Sequence, residues 1–186
     1  MALPQIKAAT YADLFALPEN LVAEIINGIL YTQPRPAPRH SRASSSLGDE
    51  LVSPFDKGRN GPGGWWILDE PELHLGMDIL VPDLAGWRRE RLPSLPETAF
   101  FELAPNWVCE VLSPGTEKQD RVLKMPAYAK YGVQHIWLLD PLLRTLEVFE
   151  WTAAGWLLLD VLANDAAVSV APFAAISFDL SALWVD

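Results

Sequence analysis

Asn106 to Asp140 reads NWVCEVLSPGTEKQDRVLKMPAYAKYGVQHIWLLD. It opens on an apolar run, Trp107 to Leu112, interrupted by one acid, Glu110. A Ser-Pro-Gly-Thr turn follows, then a polar, helical segment from Glu117 to Tyr131. Gly132 and a second apolar run, His135 to Leu139, complete the stretch. Strand, turn, helix, glycine and strand in that order predict a βαβ unit. A carboxylate is costly to bury unpaired, so Glu110 requires a partner. Asp120 and Lys124, spaced i,i+4 on the following helix, are the nearest candidates. The three are either a buried ion-pair network or the beginning of an active site. Pro126 falls inside the same helix, where it removes a hydrogen bond and meets the carbonyl four residues back, so a kink is expected just after Lys124.

Two more acids interrupt apolar strands. Leu21 to Tyr31, LVAEIINGILY, predicts a hairpin turning at Asn27-Gly28. Glu24 shares a face there with Val22 and Ile26 and reads equally as a structural edge acid or an inward-pointing site residue. Ile79 to Leu84 predicts a strand that Pro82 must end or bulge, because proline gives nothing to a ladder; Asp83 is left at its rim. Helices are expected over 10–17, 40–52 and 117–131, and further strands over 65–68, 73–75, 145–151 and 156–161. Residues 32–39 read as a proline-rich connector and 55–64 as a glycine-rich loop. Residues 85–105 read as an irregular excursion with a helical turn near 95–103. The tail reads as a short strand and a terminal helical turn. The sum is one α/β domain over 1–186, with a mixed, largely antiparallel sheet flanked by helices.

Composition narrows the function. At 186 residues, half of them hydrophobic and with 8 Trp, the chain has enough material for a sizeable core. A single cysteine, Cys109, excludes an internal disulfide framework and suits a cytoplasmic setting. No apolar run approaches the length of a membrane span, and none resembles a signal peptide. A net charge of −10 argues against a general nucleic-acid-coating surface. The charge is uneven, however. Residues 35–48 carry three arginines and no acid, whereas 147–186 carry six acids and no Lys or Arg. Local phosphate contact remains open through Arg35, Arg39, Arg42, Lys118 and Arg121.

Asp83 and Glu110 lie on strands that a surface excursion can bring together as neighbours. Two carboxylates repel unless something positive lies between them. A divalent cation does this, and hard oxygen donors select Mg²⁺ or Mn²⁺ over zinc. Lys124 could reach the same point and there orient or deprotonate water, or offset charge on a phosphoryl oxygen.

Pro82-Asp83, Glu110-Val-Leu-Ser-Pro-Gly-Thr116, Asp120, Lys124, Tyr128, Gly132-Val133 and Trp137-Leu-Leu-Asp-Pro141 together resemble the Uma2 family, also called DUF820. That family belongs to the PD-(D/E)xK nuclease superfamily, and the resemblance covers nearly the whole chain, from Glu24 and His40 onward. It implies a restriction-endonuclease-like core and metal-dependent hydrolysis of phosphodiester bonds, in DNA. It implies Glu24, Asp83 and Glu110 as holders of Mg²⁺ or Mn²⁺, Lys124 as the catalytic lysine, and a homodimer where both strands must be cut. The plain superfamily signature places the lysine two residues after the second acid; here that residue is Leu112, and the resemblance points to Lys124 on the next helix instead.

Other residues carry blander readings. His40 reads as a capping or surface histidine in preference to a site residue, and His74 and His135 as structural. Tyr128 fits core packing and a hydrogen bond into the site equally well. Cys109 faces away from Glu110 and reads as a small buried hydrophobe. Two other function classes stay open. A nuclease fold that has lost its chemistry and acts as an interaction module fits the acidity and Pro126. A carboxylate-pair glycoside hydrolase would use Glu24 and Glu110 but leaves Asp83 and Lys124 without a role.

Overall fold

A computed structural model of the chain describes residues 8–18 and 20–184. The first helix, α1, is Tyr11–Leu14. The hairpin forms as expected from β1 (Leu21–Ile26) and β2 (Ile29–Pro34). Asn27 and Gly28 both take positive φ, 53° and 75°, the turn whose twist matches the flanking strands. Helix α2 runs Pro38–Leu51 and starts before His40, because proline suits a first turn that needs no N–H. It continues into a π turn, Val52–Asp56, so part of the expected loop is helical.

Strands β3 (Trp65–Asp69), β4 (Leu73–Leu75) and β5 (Asp78–Leu80) follow. The chain then passes Pro82 and enters β6 (Leu84–Arg88). Sequence reading assigns most of β6 to irregular chain, since Ala85 and Gly86 give it no apolar alternation to see. Residues 95–103 form bends and turns rather than a helical turn. Pro93 and Pro96 push the residues before them out of helical conformation. The decisive stretch becomes β7 (Trp107–Val111), α3 (Glu117–Gln119), a π turn (Asp120–Lys124), α4 (Met125–Lys130) and β8 (His135–Asp140). Strands β9 (Thr145–Thr152) and β10 (Gly155–Ala163) form a second hairpin. The tail adds β11 (Ala167–Val168) and β12 (Phe178–Asp179), paired with each other, and a 3₁₀ turn at Leu180–Leu183.

The fold is α/β, with a central sheet in the order β10-β9-β8-β7-β6-β3. β7 and β8 run parallel, joined by the α3–α4 crossover, and the remaining neighbours are antiparallel. A smaller antiparallel sheet, β2-β1-β5-β4, stands beside it. Alternation along β7 and β8 divides the core in two. Trp107, Cys109, Val111, Trp137 and Leu139 pack with α2 and the tail. Val108, Leu112, Ile136 and Leu138 pack with α4 and the small sheet. Glu110 alternates with Cys109, so it faces α4. On the α2 side Gly86 is required: a Cβ there would stand 3.1 Å from Ile67 and 3.2 Å from the Trp65 and Trp107 rings. Among the described residues no helix is long and apolar enough to cross a membrane.

Candidate active site

The site forms where the two sheets part. Strand β5 belongs to the small sheet and β6 to the large one, so Val81-Pro82-Asp83 must cross between them. Ladder pairing between β6 and β7 ends at Leu84 opposite Cys109. Beyond it the Asp83 carboxylate replaces the ladder, its Oδ2 accepting from the Val111 N–H at 2.7 Å. On the other side of the crossing, Glu24 Oε1 accepts from the Val81 N–H at 2.8 Å. Proline at 82 offers no N–H, and acids on either side satisfy the groups that the parting strands leave over.

Lys124 fills the space between. Its Nζ lies 2.8 Å from Glu110 Oε1, 2.9 Å from Glu110 Oε2 and 3.0 Å from Glu24 Oε1. It donates to the Val81 carbonyl at 3.3 Å, and Asp120 Oδ1 stands 3.8 Å away. The Tyr128 hydroxyl donates to Glu110 Oε1. Gln119 Nε2 donates to Glu24 Oε2 at 3.1 Å. The π turn answers the expectation of a kink. Met125 N–H reaches back five residues to the Asp120 carbonyl, which places Pro126 in the first turn of α4, where its missing N–H costs nothing. Lys124 is thereby aimed at the carboxylates.

Electrostatics set the protonation states. Burial works against the Lys124 ammonium, but Glu110 and Glu24 outweigh it and hold its pKa well above the ordinary lysine value. Lys124 is therefore a hydrogen-bond donor and a fixed positive charge. Burial pushes Asp120 up to about 6 against the pull of Lys124, with Glu24 and Asp83 adding to the rise. His40 Nε2 lies 3.4 Å from Asp83 Oδ1. Burial disfavours its charged form, yet Asp83 raises its pKa overall. Buried Cys109 has its thiol pKa pushed well up, first by desolvation, which leaves it inert as expected.

The Asp120 shift has a measurable sign. A carboxyl whose folded pKa exceeds its unfolded value binds more protons when folded, so stability falls as pH rises between the two values. In metal-free buffer, Asp120→Asn should gain about 1–3 kcal/mol over the wild type at pH 7.5. The gain should vanish near pH 4. Urea unfolding of both proteins from pH 4 to 7.5 tests this; parallel stability curves would refute it.

Asp83, Glu110, Asp120, Lys124 and His40 line one cavity of about 410 Å³. Glu24 is 1 % exposed and lies behind Lys124, outside the lining. Of the residues expected at the site, the structure thus brings Asp83, Glu110 and Lys124 to the cavity and sets Glu24 against Lys124. Sequence reading placed His40 elsewhere; the usable signal was Pro38, which as a first-turn residue starts α2 early and puts His40 one turn in. Asp120 was visible only as a partner for Glu110. Arg121 is not available for phosphate, because Glu147 binds it at 3.0 and 2.5 Å and Glu117 at 3.0 Å.

Among the described residues, no three His, Cys, Asp or Glu side chains stand as a ready coordination set. Magnesium asks for less: it keeps several waters and takes one or two carboxylates together with substrate phosphate oxygens. Asp83, Glu110 and Asp120 are hard oxygen donors lining one cavity with Lys124 among them. The donor chemistry fits such a cation.

Comparison with known proteins agrees with this architecture. A family model described as "Putative restriction endonuclease" matches residues 9–182. A crystal structure from Anabaena variabilis ATCC 29413, described as a "putative nuclease belonging to DUF820", superposes with a TM-score of 0.73 at 25% identity. The match covers 94% of this chain and 97% of that one. No curated protein matches the sequence. With nearly its full length matched by the family model, the chain belongs to the Uma2 family.

Proposed function

We propose that the protein is a Mg²⁺- or Mn²⁺-dependent endonuclease that hydrolyses phosphodiester bonds in DNA. The observation that carries this reading is the convergence of Asp83, Glu110, Asp120 and Lys124 on one cavity, at the point where two sheets separate. Asp83 and Glu110 would hold the cation. When bound, such a cation lowers the pKa of a water and offsets charge on the phosphoryl group.

The chain's own residues do the positioning. Val111 N–H and His40 orient Asp83, while Lys124 and Tyr128 orient Glu110. Lys124, kept protonated, places an ammonium beside the reacting phosphate and stabilises the negative charge that develops on it. Glu24, engaged by Val81 N–H, Gln119 and Lys124, fixes the lysine in place of binding the cation. With one site per chain, cutting both strands of a duplex calls for two copies.

Purified protein incubated with plasmid, single-stranded DNA and structured RNA should cleave DNA only with Mg²⁺ or Mn²⁺, and cleavage in EDTA would sink this reading. One observation favours the interaction-module alternative: both Glu110 oxygens already accept bonds from Lys124 or Tyr128, a closed network. That alternative requires calorimetry to show no Mn²⁺ binding that Asp83→Ala removes.

A further inference from the structure

We infer that the cavity admits one unpaired nucleotide, so that the enzyme works on single-stranded or locally opened nucleic acid instead of continuous duplex. This rests on the hydrolase reading and narrows it.

The first argument is reach. Glu110, Lys124 and Asp120 are 2 %, 2 % and 4 % exposed, so a phosphodiester must enter the cavity to meet them. Its volume of about 410 Å³ is that of a site for one small molecule, which runs from about 300 to 1,000 Å³. A nucleotide is of that size. A B-form duplex, whose major groove alone is about 12 Å wide, is not. A strand whose nucleotides are free to turn out of a helix delivers its phosphate; a stacked and paired one does not.

The second argument is the wall. Part of the cavity lining comes from β1, β2 and the segment after β2. Val22, on the Glu24 face of β1, and Pro36, after β2, offer apolar surface for the face of a base. Gln33, opposite Val22 in the hairpin, stands beside them with a hydrogen-bonding side chain. β2 is also an edge strand of the small sheet, with β1 on its inner side only, so it offers backbone groups to a base edge. Paired bases have their Watson–Crick edges occupied and cannot use such a wall.

The third argument is charge. The protein carries −10 overall, and among the described lining residues the basic side chains are Arg35, Lys124 and His40. Duplex DNA bears one charge per 1.7 Å or so of axis, and proteins that hold it neutralise several phosphates at once. This cavity holds one phosphate well and a row of them poorly.

The test separates binding from cleavage. Fluorescence anisotropy in Ca²⁺, used as a cation to support binding with turnover suppressed, compares a labelled DNA single strand, its full duplex, the same duplex with a central bubble, and the matching RNA strand. The single strand and the bubble should bind at least ten-fold more tightly than the duplex, and in Mn²⁺ cuts should fall within the bubble. The RNA arm shows whether the sugar matters to the pocket. Gln33→Trp, on an edge strand that tolerates an aromatic residue, puts an indole on the face that Val22 and Glu24 share and so into the cavity; it should abolish single-strand binding with its melting curve and Mn²⁺ affinity unchanged. Equal binding of duplex and single strand, or single-strand binding that survives Gln33→Trp in a folded protein, overturns the inference. Tight single-strand binding with no cleavage under any cation overturns the hydrolase reading and supports the cavity's preference.

Discussion

Lys124→Met should destabilise the protein by about 3–5 kcal/mol at pH 8, the usual cost of removing one partner from a buried ion pair. Its ammonium is the shared neighbour of Glu110, Glu24 and, more distantly, Asp120, in a site 2 % exposed. Methionine keeps most of the volume, so the loss is electrostatic rather than a cavity. The pH dependence identifies it. Burial already raises the pKa of Glu110 and Asp120 against the pull of Lys124; without that pull the native state binds more protons, and stability falls as pH rises. The deficit should therefore shrink from pH 8 to pH 5. Turnover should drop about 10²–10³-fold, as when a preorganised donor is removed from a site of developing charge. Affinity for Mn²⁺ should hold or rise, since a competing positive charge has been taken away. Urea melts at three pH values and Mn²⁺ calorimetry check the two halves. A variant as stable as the wild type at pH 8 would show that the ion-pair network contributes little.

Glu110→Ala should fail in the other way. It deletes a proposed cation ligand, so Mn²⁺ affinity and turnover should fall together, turnover by more than about 10³-fold. Raising Mn²⁺ should recover part of the rate, because Asp83 and its Val111 N–H contact stay in place. Tyr128→Phe provides the measured contrast: it removes one donor to Glu110 and leaves the carboxylate, so a loss of about ten-fold or less is expected. Comparing the rates and affinities of the three variants separates holding the cation from acting near the transition state. Cleavage that persists unchanged in Glu110→Ala would come from a contaminating nuclease, and the assignment of Glu110 would be withdrawn.

Most of this arrangement was legible from acids in the wrong place. Glu24, Asp83 and Glu110 each sit in an apolar strand, and the cost of burying them alone predicts company; Lys124 stood at the spacing that supplies it. The Asn27-Gly28 hairpin, the βαβ crossover and the strand break at Pro82 followed from local chemistry. What escaped was non-local. That β5 and β6 belong to different sheets depends on partners far along the chain, and no pattern within Ile79–Arg88 reports it. His40 met Asp83 only because α2 packs across β7, a contact set by Leu47 and Leu51 in the core. Gly86 hid its strand because the aromatic side chains it makes room for belong to β3 and β7.

Both π turns contain or adjoin a proline, Pro54 in one and Pro126 just after the other. Each is a helix with an inserted residue, and the proline makes the insertion irreversible. Returning to ordinary α pairing would drive the Pro126 ring onto the Val122 carbonyl. The position of Lys124 is thus set by helical phase as much as by residue type. Deleting one residue between Asp120 and Lys124 would turn the lysine about 100° around the axis and away from Glu110, although every side chain named in the site would still be present in the sequence. For this protein, the length of the segment is itself part of the candidate site.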